Sequence, residues 1–322
     1  MGIPRLNAFF RENASCCMKT VPLNNLAGKT VVVDTSIYLY RYAAEGSVIE
    51  GMFQLISTCA VNGIRLVFVF DGPPPPQKAD VLKERARVRK QATEQCQELQ
   101  KQLEEEKDEQ RKQEITDELA VVRKRTTKID KETIHRVKEL MDCLGVAYIE
   151  SQGEADGVCA KIVKKGYAYA CLSEDMDMFV YGCPRVLRYL SLLHETVIMY
   201  NMSCILENLD ISLEQFRQVC VLCGTDYNIN TKSNLHLKRG FVLLNEYLSN
   251  ESKNKSGFYE WLEENSKAGV KNALQLYSIF YMFEVDGCEL SPRAIPDMPL
   301  VTEPNMELLK PILEPEGFVF LE

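Results

Sequence analysis

Histidine is scarce in this chain, with 3 among 322 residues, and the 12 cysteines show no repeated spacing. The one C-x-x-C, Cys220–Cys223, lies inside a helical pattern and has no second half. Because a structural zinc site needs about four ligands, we expect buried free thiols instead. Free thiols in turn indicate a reducing, intracellular compartment.

Long apolar runs are also missing, because no stretch reaches the ~18 apolar residues of a transmembrane helix. The first residues, MGIPRLNAFF, lack the apolar core of a signal peptide. Leu6 stands where a myristoylation motif requires Ser or Thr. We therefore expect no membrane partner and no secretion.

An excess of positive charge is absent as well, since the formal net charge is −8. This excludes a protein that coats nucleic acid uniformly, but it allows a local basic track on an acidic body. The hydrophobic content of 46% and the charged content of 26% are ordinary for a globular protein. A chain of 322 residues can bury a sizeable core as one large domain or a domain with insertions.

Short apolar, β-branched runs are present and alternate with helical patterns. They are TVVVD (30–34), LVFVFD (66–71), AYIE (147–150), AYACLS (168–173) and ETVIMY (195–200). Runs that do not alternate with polar residues indicate strands buried on both faces. The sequence therefore predicts an α/β fold with a central, mostly parallel sheet flanked by helices.

One segment interrupts this alternation. In residues 83–113, 17 of 31 are charged and there is no Gly or Pro. Its apolar face is too narrow for ordinary packing, so we expect a solvated helical hairpin or a coiled coil. A helical pattern at 137–145 leads back to the sheet.

The pattern changes again after Asp226, where TDYNINTKSNLHLKRG is polar and amphipathic patterns follow. We expect a small helical unit from Asn228 to about Tyr281 and then a Pro-rich tail that wraps the surface. The predicted division is a core at 1–227 with an insertion at 78–132, a helical subdomain at 228–290 and a tail at 291–322.

Acidic residues stand where the predicted strands end. They are Asp34, Asp71, Glu154 with Asp156, and Asp175 with Asp177, and Asp226 follows in a later loop. Ligands of open α/β sheets collect outside the carboxyl ends of the strands. If the sheet is parallel here, these carboxylates converge.

Each acid also has a structural interpretation. Ser151 and Glu154 match a capping box, and Asp156 would lie in the first turn of the next helix. Asp34 or Asp175 could cap a helix, and Asp71 before Gly-Pro-Pro could belong to a turn. Glu174, within SEDMDM, is expected to face solvent at the start of a helix.

A set of carboxylates with few His or Cys neighbours suits Mg²⁺ or Mn²⁺. Two such ions at a spacing of about 3.5–4 Å are typical of phosphodiester hydrolysis. Lys78, Arg85 and Arg89 share one helical face close to Asp71, where they could bind the scissile phosphate. A second basic cluster comprises Arg123, Lys124, Arg125, Lys128 and Lys131.

Six motifs follow in order: MGIPRL, VVVDTSIYLYR, FVFDGPPPPQK, GEADGVCA, LSEDMDMFVYG and CGTDY. Together they resemble the flap endonuclease/XPG family of 5′ nucleases over about residues 1–226. The resemblance implies a PIN-like core, a helical arch at 78–132 and a C-terminal helix–two-turn–helix-like subdomain. It also implies a structure-selective enzyme that cuts DNA at 5′ flaps or ends, in replication, repair or recombination.

The same resemblance assigns roles to residues. The seven acids would surround two Mg²⁺ ions, for which Mn²⁺ can substitute, and Lys78 and Arg85 would act on the scissile phosphate. DNA would be contacted by Gly2, Tyr40, Arg89, Lys128, Lys238 and Arg239. Tyr40 would stack on a base near the cut. The alternative interpretation is that Tyr40 is only a half-buried residue of a helix.

This chain departs from the family in two places. Asp156 gives E-A-D where many relatives have E-A-E, and the E-A-D form is closer to that of the 5′ exonuclease branch. Asn234 and His236 replace the two glycines of the helix–two-turn–helix loop, and side chains there obstruct close backbone approach. The sequence leaves open whether that loop binds a monovalent cation.

Two further functions are compatible with the fold: a catalytically silent nucleic-acid-binding scaffold and a PIN-type RNA nuclease. Retention of all the acids favours an enzyme over a scaffold, and the long arch favours the flap family over a PIN-type nuclease. The C-terminal ILEPEGFVFLE contains no sliding-clamp motif, so a clamp partner is not supported. We expect a monomer in the nucleus or in a viral replication compartment.

Overall fold

The five apolar runs of the sequence, together with two strands that it did not predict, pair into one sheet of 7 strands within the described residues. The strands are Met18–Pro22 (β1), Thr30–Asp34 (β2), Arg65–Phe70 (β3), Ala147–Glu150 (β4), Ala170–Leu172 (β5), Arg185–Ser191 (β6) and Thr196–Asn201 (β7). A computed structural model describes residues 2–228, 235–249, 256–285 and 305–320 of the chain.

The strand order is β1-β7-β6-β5-β2-β3-β4. Strands β2 to β6 run parallel to one another, while β7 is antiparallel to β6 and β1 is antiparallel to β7. The prediction of a mostly parallel sheet is therefore confirmed. Strand β2 lies between β3 and β5, so the connections leave it in opposite directions and create a switch point at its carboxyl end.

Helices cover both faces of the sheet. They are Leu6–Asn13 (α1), Thr35–Glu45 (α2), Val48–Val61 (α3), Ala79–Glu105 (α4), Glu109–Thr126 (α5), Lys131–Cys143 (α6), Ala155–Lys164 (α7), Asp177–Val180 (α8), Met202–Leu209 (α9), Leu213–Cys223 (α10), Leu237–Leu248 (α11), Phe258–Glu264 (α12), Ala273–Met282 (α13) and Met306–Leu313 (α14).

Strand β2 shows why its sequence does not alternate between apolar and polar residues. Val32 packs into a cluster with α1 and α7 to α13, while Val31 and Val33 pack into a second cluster with α2, α3, α6 and α14. Since successive side chains point to opposite faces, both faces of this strand are buried and both must be apolar.

The charged insertion is a helical hairpin, as the sequence predicts. Helix α4 packs against α5 through a small apolar cluster of its own, which comprises Ala92, Cys96, Leu99, Ile115, Leu119 and Val122. Asp108 caps α5 by accepting a hydrogen bond of 2.9 Å from the backbone N–H of Arg111. The hairpin is therefore held together mainly by this narrow seam.

Helices α11, α12 and α13 occupy the region predicted to be helical after Asp226. Their buried residues belong to the same cluster as those of α1 and α10, and Phe9 stacks on Phe241 with ring centroids 4.8 Å apart. Part of the predicted tail forms α14, which packs Leu309 and Leu313 into the second cluster. The division into three domains stays a prediction, and Asn234 and residues 291–304 lie outside the described ranges.

One expectation about cysteine is wrong. Cys17 and Cys204, which are 187 residues apart in sequence, form a disulfide between the turn after α1 and the first turn of α9. Sequence spacing gave no sign of the pair, because the fold alone brings them together. Cys220 and Cys223 are buried free thiols, as expected.

Strands β1 and β6 are missing from the sequence-based prediction. β1 is largely exposed and contains Pro22, while β6 contains two arginines, so neither is a continuous apolar run. None of the helices in the described ranges combines the length and the apolar character needed to cross a bilayer.

Candidate active site

The carboxylates meet at the switch point of the sheet. Asp34 ends β2, and its Oδ2 accepts a hydrogen bond of 3.0 Å from the hydroxyl of Ser173, which follows β5. Asp71 follows the adjacent β3, and its Oδ2 accepts a hydrogen bond of 2.5 Å from the hydroxyl of Ser36. Since the strands are parallel, their ends lie at one edge and bring these acids together.

Asp71 also connects two elements. Its Oδ1 accepts a hydrogen bond of 2.7 Å from the backbone N–H of Ala155, the first residue of α7. A carboxylate at this position is favoured by the partial positive charge of the helix N-terminus. Asp71 therefore holds α7 against the sheet, and a role confined to its own turn is excluded.

Glu154 does not form the capping box that its spacing suggests. Its Oε1 lies 2.5 Å from Lys78 Nζ, and its Oε2 accepts a hydrogen bond of 2.6 Å from the hydroxyl of Tyr227. The hydroxyl of Ser151 accepts from the backbone N–H of Gly153 and donates to the carbonyl oxygen of Glu154. Asp34 likewise has no capping hydrogen bond from its side chain, although it precedes α2.

Asp175 and Asp177 form the other half of the cluster, and both are buried. Asp175 Oδ1 accepts a hydrogen bond of 3.0 Å from the backbone N–H of Asp177. Asp177 Oδ1 is buried and has no hydrogen-bond partner among the described residues. Gly2 lies directly against this pair, because a β-carbon there would collide with both carboxylates.

The buried acids are held in an unfavourable electrostatic state. Burial, followed by the charges of Asp71 and Asp175, raises the pKa of Asp34 to about 7. Burial is also the main cause that raises the pKa of Asp156, Asp175 and Asp177, and neighbouring carboxylates add to it for Asp156 and Asp177. Such a cluster favours protonation or a bound cation.

These residues fit divalent metal ions. The donors are all oxygens, and no described residue hydrogen-bonds the buried Oδ1 of Asp177, which a cation could therefore bind. Among the described residues, no three of these carboxylates place oxygens within 4.8 Å of one another. Mg²⁺ does not need three clustered carboxylates, because it is usually bound by one or two and completes its shell with water and phosphate oxygens.

Lys78 and Arg85 reach the acids from the start of the arch. Arg85 Nη2 lies 2.7 Å from Asp226 Oδ2. Burial opposes the charged form of Lys78, but its hydrogen bond to Glu154 and the charges of Glu154 and Asp156 raise its pKa above the ordinary value. Lys78 is therefore a buried cation that stays charged.

The remaining residues predicted to contact DNA lie on other parts of the surface elements. Tyr40 is 44% exposed on α2, Arg89 is partly exposed on α4, and Lys128 is exposed between α5 and α6. Lys238 pairs with Glu12 at 2.7 Å and Arg239 with Glu246 at 3.3 Å. Both basic residues line an open groove of about 780 Å³ between α1 and α11, together with Arg5 and His236.

Several residues that orient the acids were not predicted from the sequence. Tyr227, Ser173 and Ser36 each donate a hydrogen bond to a carboxylate. For Tyr227 a signal was available, because it directly follows Asp226 in the CGTDY motif. The prediction for Glu174 is wrong. Its carboxylate lies 3.4 Å from Arg188 and accepts from the backbone N–H of Tyr189, so it is bonded to β6 and only partly exposed.

Two family models match the chain. The XPG N-terminal domain matches residues 1–92, and the XPG I-region matches residues 145–226. Together the two ranges contain all the carboxylates described above, and most of the arch lies between the two ranges.

Curated relatives show the same similarity. The chain is 33% identical to flap endonuclease 1 of Entamoeba dispar over 271 residues, covering 78% of this chain and 69% of that protein. It is 29% identical to flap endonuclease 1 of Naegleria gruberi over 265 residues, covering 77% of this chain and 65% of that protein. The chain thus spans about two thirds of the length of these relatives.

Among solved structures, the fold is similar to the catalytic core of Rad2 in complex with a DNA substrate. The TM-score is 0.68 at 18% sequence identity, over 98% of this chain and 95% of that one. At this identity the similarity concerns the fold. The PIN-like α/β architecture predicted from sequence is thereby confirmed.

Proposed function

This chain belongs to the flap endonuclease/XPG family of 5′ nucleases, and from this premise we propose that it hydrolyses DNA phosphodiester bonds at 5′ flaps or ends. The reaction would use two divalent ions, in DNA replication, repair or recombination. The observation that carries the proposal is the cluster of buried carboxylates at the switch point, with Lys78 and Arg85 beside it.

The residues that would hold the metal are the seven acids at the strand ends and in the later loop: Asp34, Asp71, Glu154, Asp156, Asp175, Asp177 and Asp226. When bound, Mg²⁺ or Mn²⁺ supplies an activated water and stabilises the charge of the leaving oxygen. Tyr227 and Ser173 orient Glu154 and Asp34 through hydrogen bonds, which fixes the carboxylates before a substrate arrives.

Lys78 and Arg85 would bind the non-bridging oxygens of the scissile phosphate. Each now lies within 2.7 Å of a carboxylate of the cluster, so a phosphate that enters the site is in reach of both. The positive charges would stabilise the negative charge that increases on the phosphate in the transition state. Lys78 can do so at neutral pH because its pKa is raised.

The DNA would lie across the molecule from the arch to α11. Arg89 and Lys128 would contact the single strand at the arch, and Tyr40 would stack on a base near the cut. Lys238 and Arg239 would contact duplex phosphates at the groove beside α1, and Gly2 would lie close to the junction. The relatives from eukaryotes support an intracellular, nuclear site of action.

A cleavage assay tests the proposal. The purified chain is incubated with a 5′-flap duplex labelled at both ends, with Mg²⁺ or with a chelator. Release of an intact flap only with Mg²⁺ is the expected result, whereas release of single nucleotides indicates exonuclease action. Binding without cleavage in either Mg²⁺ or Mn²⁺ would instead favour a catalytically silent scaffold.

The variant Asp177→Ala separates chemistry from binding. It removes the carboxylate whose Oδ1 has no hydrogen-bond partner within the described part of the chain, so we expect cleavage to fall by at least about 100-fold while flap binding persists. Asp117→Ala, an exposed acid on α5, is the matched control and should cleave like the unaltered chain. Equal cleavage by Asp177→Ala would contradict the proposed mechanism.

A further inference from the structure

Three cysteines converge beside the edge strand β1, where the proposed nuclease chemistry does not use them. Cys16 and Cys17 end the short turn after α1, and Cys204 lies in the first turn of α9. Their three Sγ atoms lie within 4.8 Å of one another. Cys16 is exposed, Cys17 is buried and Cys204 is partly buried, so the cluster is anchored inside and open to solvent on one side.

Asn208 organises the three sulfurs. It lies one turn after Cys204 on α9, and its Oδ1 accepts a hydrogen bond of 3.3 Å from the thiol of Cys16. Its Nδ2 lies 3.3 Å from Cys17 Sγ and 3.7 Å from Cys204 Sγ. One side chain therefore offers N–H groups to two sulfurs and an oxygen near the third.

The spacing of the sulfurs suits a metal of the zinc class. Tetrahedral zinc binds sulfur at about 2.3 Å, which places two ligating sulfurs about 3.8 Å apart. Cys16 Sγ and Cys17 Sγ are already 3.8 Å apart. Reduction of the disulfide frees Cys204 Sγ to reach a similar distance, because sulfurs that are no longer bonded separate to non-bonded contact.

We propose that the reduced form of this cluster binds one zinc-class cation through the thiolates of Cys16, Cys17 and Cys204, and that the disulfide is its metal-free form. Asn208 Oδ1 or a water completes the fourth position, as in sites with three protein ligands. Thiolates favour zinc over Mg²⁺, whereas the all-oxygen carboxylates at the switch point suit Mg²⁺. The two sites are therefore chemically distinct.

The ion would act on structure. It would fasten the end of α1 to α9, as the disulfide does in the oxidised chain. Helix α1 packs on the core through Leu6, Phe9 and Phe10, and Gly2 precedes it beside the acids. A reducing environment would thus replace one cross-link by another.

The first step of the test is reduction of the native full-length chain with a phosphine. The phosphorus takes up oxygen from water, and the two electrons and two protons released convert the disulfide of Cys17 and Cys204 to thiols. Metal is then removed and Cd²⁺ is added as a spectroscopic probe, because thiolate ligation produces a charge-transfer absorption that carboxylate ligation does not. Zn²⁺ is added last as the competitor.

We expect one Cd²⁺ per reduced chain with sulfur-to-metal absorption, its displacement by Zn²⁺, and no such absorption for the oxidised chain. Cys204→Ser and Cys16→Ser should each weaken binding by more than about 100-fold, since loss of a direct ligand costs at least as much as loss of an outer partner. Cys143→Ser, a partly buried free cysteine on α6, is the matched control and should bind normally.

Alkylation of Cys16, followed by mass spectrometry, provides a second measurement that does not depend on a variant. Zn²⁺ should protect Cys16 in the reduced chain, because a metal-bound thiolate does not react with the reagent. Absence of sulfur-to-metal absorption, unchanged binding by Cys204→Ser, unprotected Cys16, or a disulfide that the phosphine leaves intact in the folded chain would each overturn the proposal.

Discussion

Tyr227 shows how a single hydroxyl can fix a charged residue at the site. Its hydroxyl donates a hydrogen bond of 2.6 Å to Glu154. The hydroxyl oxygens of Tyr227 and Tyr181 are 3.1 Å apart. Because the proton of Tyr227 is already used, Tyr181 is the donor in this second hydrogen bond. Lys78 Nζ lies 4.8 Å from the centre of the Tyr227 ring. Tyrosine therefore acts through both its polar end and its aromatic face.

Tyr227→Phe should retain the ring but lose the hydrogen bond to Glu154. We expect the free energy of unfolding to fall by about 1 kcal/mol. Because Glu154 is a proposed metal ligand, we also expect cleavage to require an about 10-fold higher Mg²⁺ concentration. Urea unfolding and a Mg²⁺ titration of flap cleavage measure the two effects. Tyr167→Phe, at an exposed position, is the control, and identical behaviour of the two variants would remove the orienting role of Tyr227.

Asp34 predicts a pH dependence of stability in the metal-free chain. Its pKa rises from 3.8 to about 7 on folding, so between these values the folded state binds more protons than the unfolded state. The free energy of unfolding therefore falls as the pH rises through this window, by an amount on the order of a few kcal/mol. Melting temperatures measured in chelator from pH 5 to pH 8 should show this fall. Its slope should correspond to a difference of about one bound proton or more between the folded and unfolded states.

Asp34→Asn cannot ionise, so this variant should show a flatter pH profile and a higher melting temperature at about pH 8. Mn²⁺ should reverse part of the fall in the unaltered chain, because a cation favours the ionised acids. Asp117→Asn serves as the exposed control. A profile for Asp34→Asn that runs parallel to that of the control would contradict this account.

At the scale of elements, the arch is unusual because its two long helices share so few apolar residues. Helix α4 has 27 residues, yet only Val81, Ala92, Cys96 and Leu99 are buried. The cluster between α4 and α5 is separate from the two clusters that flank the sheet. The hairpin should therefore open without unfolding the rest of the molecule.

Leu119→Asp tests this independence. A charge buried in the seam without a partner costs several kcal/mol (about 3 or more), so α4 and α5 should separate while the main melting transition stays in place. Limited proteolysis should then cut within the arch, and flap cleavage should fall by about tenfold or more as Lys78 and Arg85 lose their support. Val121→Asp, at a position 54% exposed on the same helix, should change neither the proteolysis of the arch nor the rate of flap cleavage.

At the scale of the whole molecule, residues far apart in sequence close the second core cluster. Helix α14 lies against α3 and α6, where Glu316 bonds to Ser47 at 2.9 Å and to Arg136 at 2.9 Å. Phe318 meets Phe53 edge to face with ring centroids 5.2 Å apart. The C-terminal segment therefore joins the core rather than lying loosely over it.

Leu313→Ala measures this contribution. Leu313 is fully buried, so its truncation should lower the free energy of unfolding by about 2–5 kcal/mol. Leu308→Ala, at a position 58% exposed on the same helix, should change it by less than about 0.5 kcal/mol. Equal urea midpoints for the two variants would show that α14 contributes nothing to stability.

The sequence by itself determined the local features of the chain. Thr30–Asp34 and Ala147–Glu150 are strands at the predicted positions, and the charged insertion is a hairpin. These predictions succeeded because apolar runs and helical periodicity are local patterns. They show which side chains of a short stretch are buried, without reference to the rest of the chain. The acids at the strand ends were found for the same reason, since each directly follows its strand.

Only the tertiary structure decided which distant residues meet. Strand β1 is defined by its pairing with β7, about 180 residues away, and Cys17 meets Cys204 in the same region. Glu154 pairs with Lys78 and Tyr227 instead of forming a capping box, and Glu174 pairs with Arg188, which leaves it only partly exposed. Such partners depend on the packing of the whole sheet, because sequence spacing constrains neighbours along the chain and leaves contacts between remote segments undetermined.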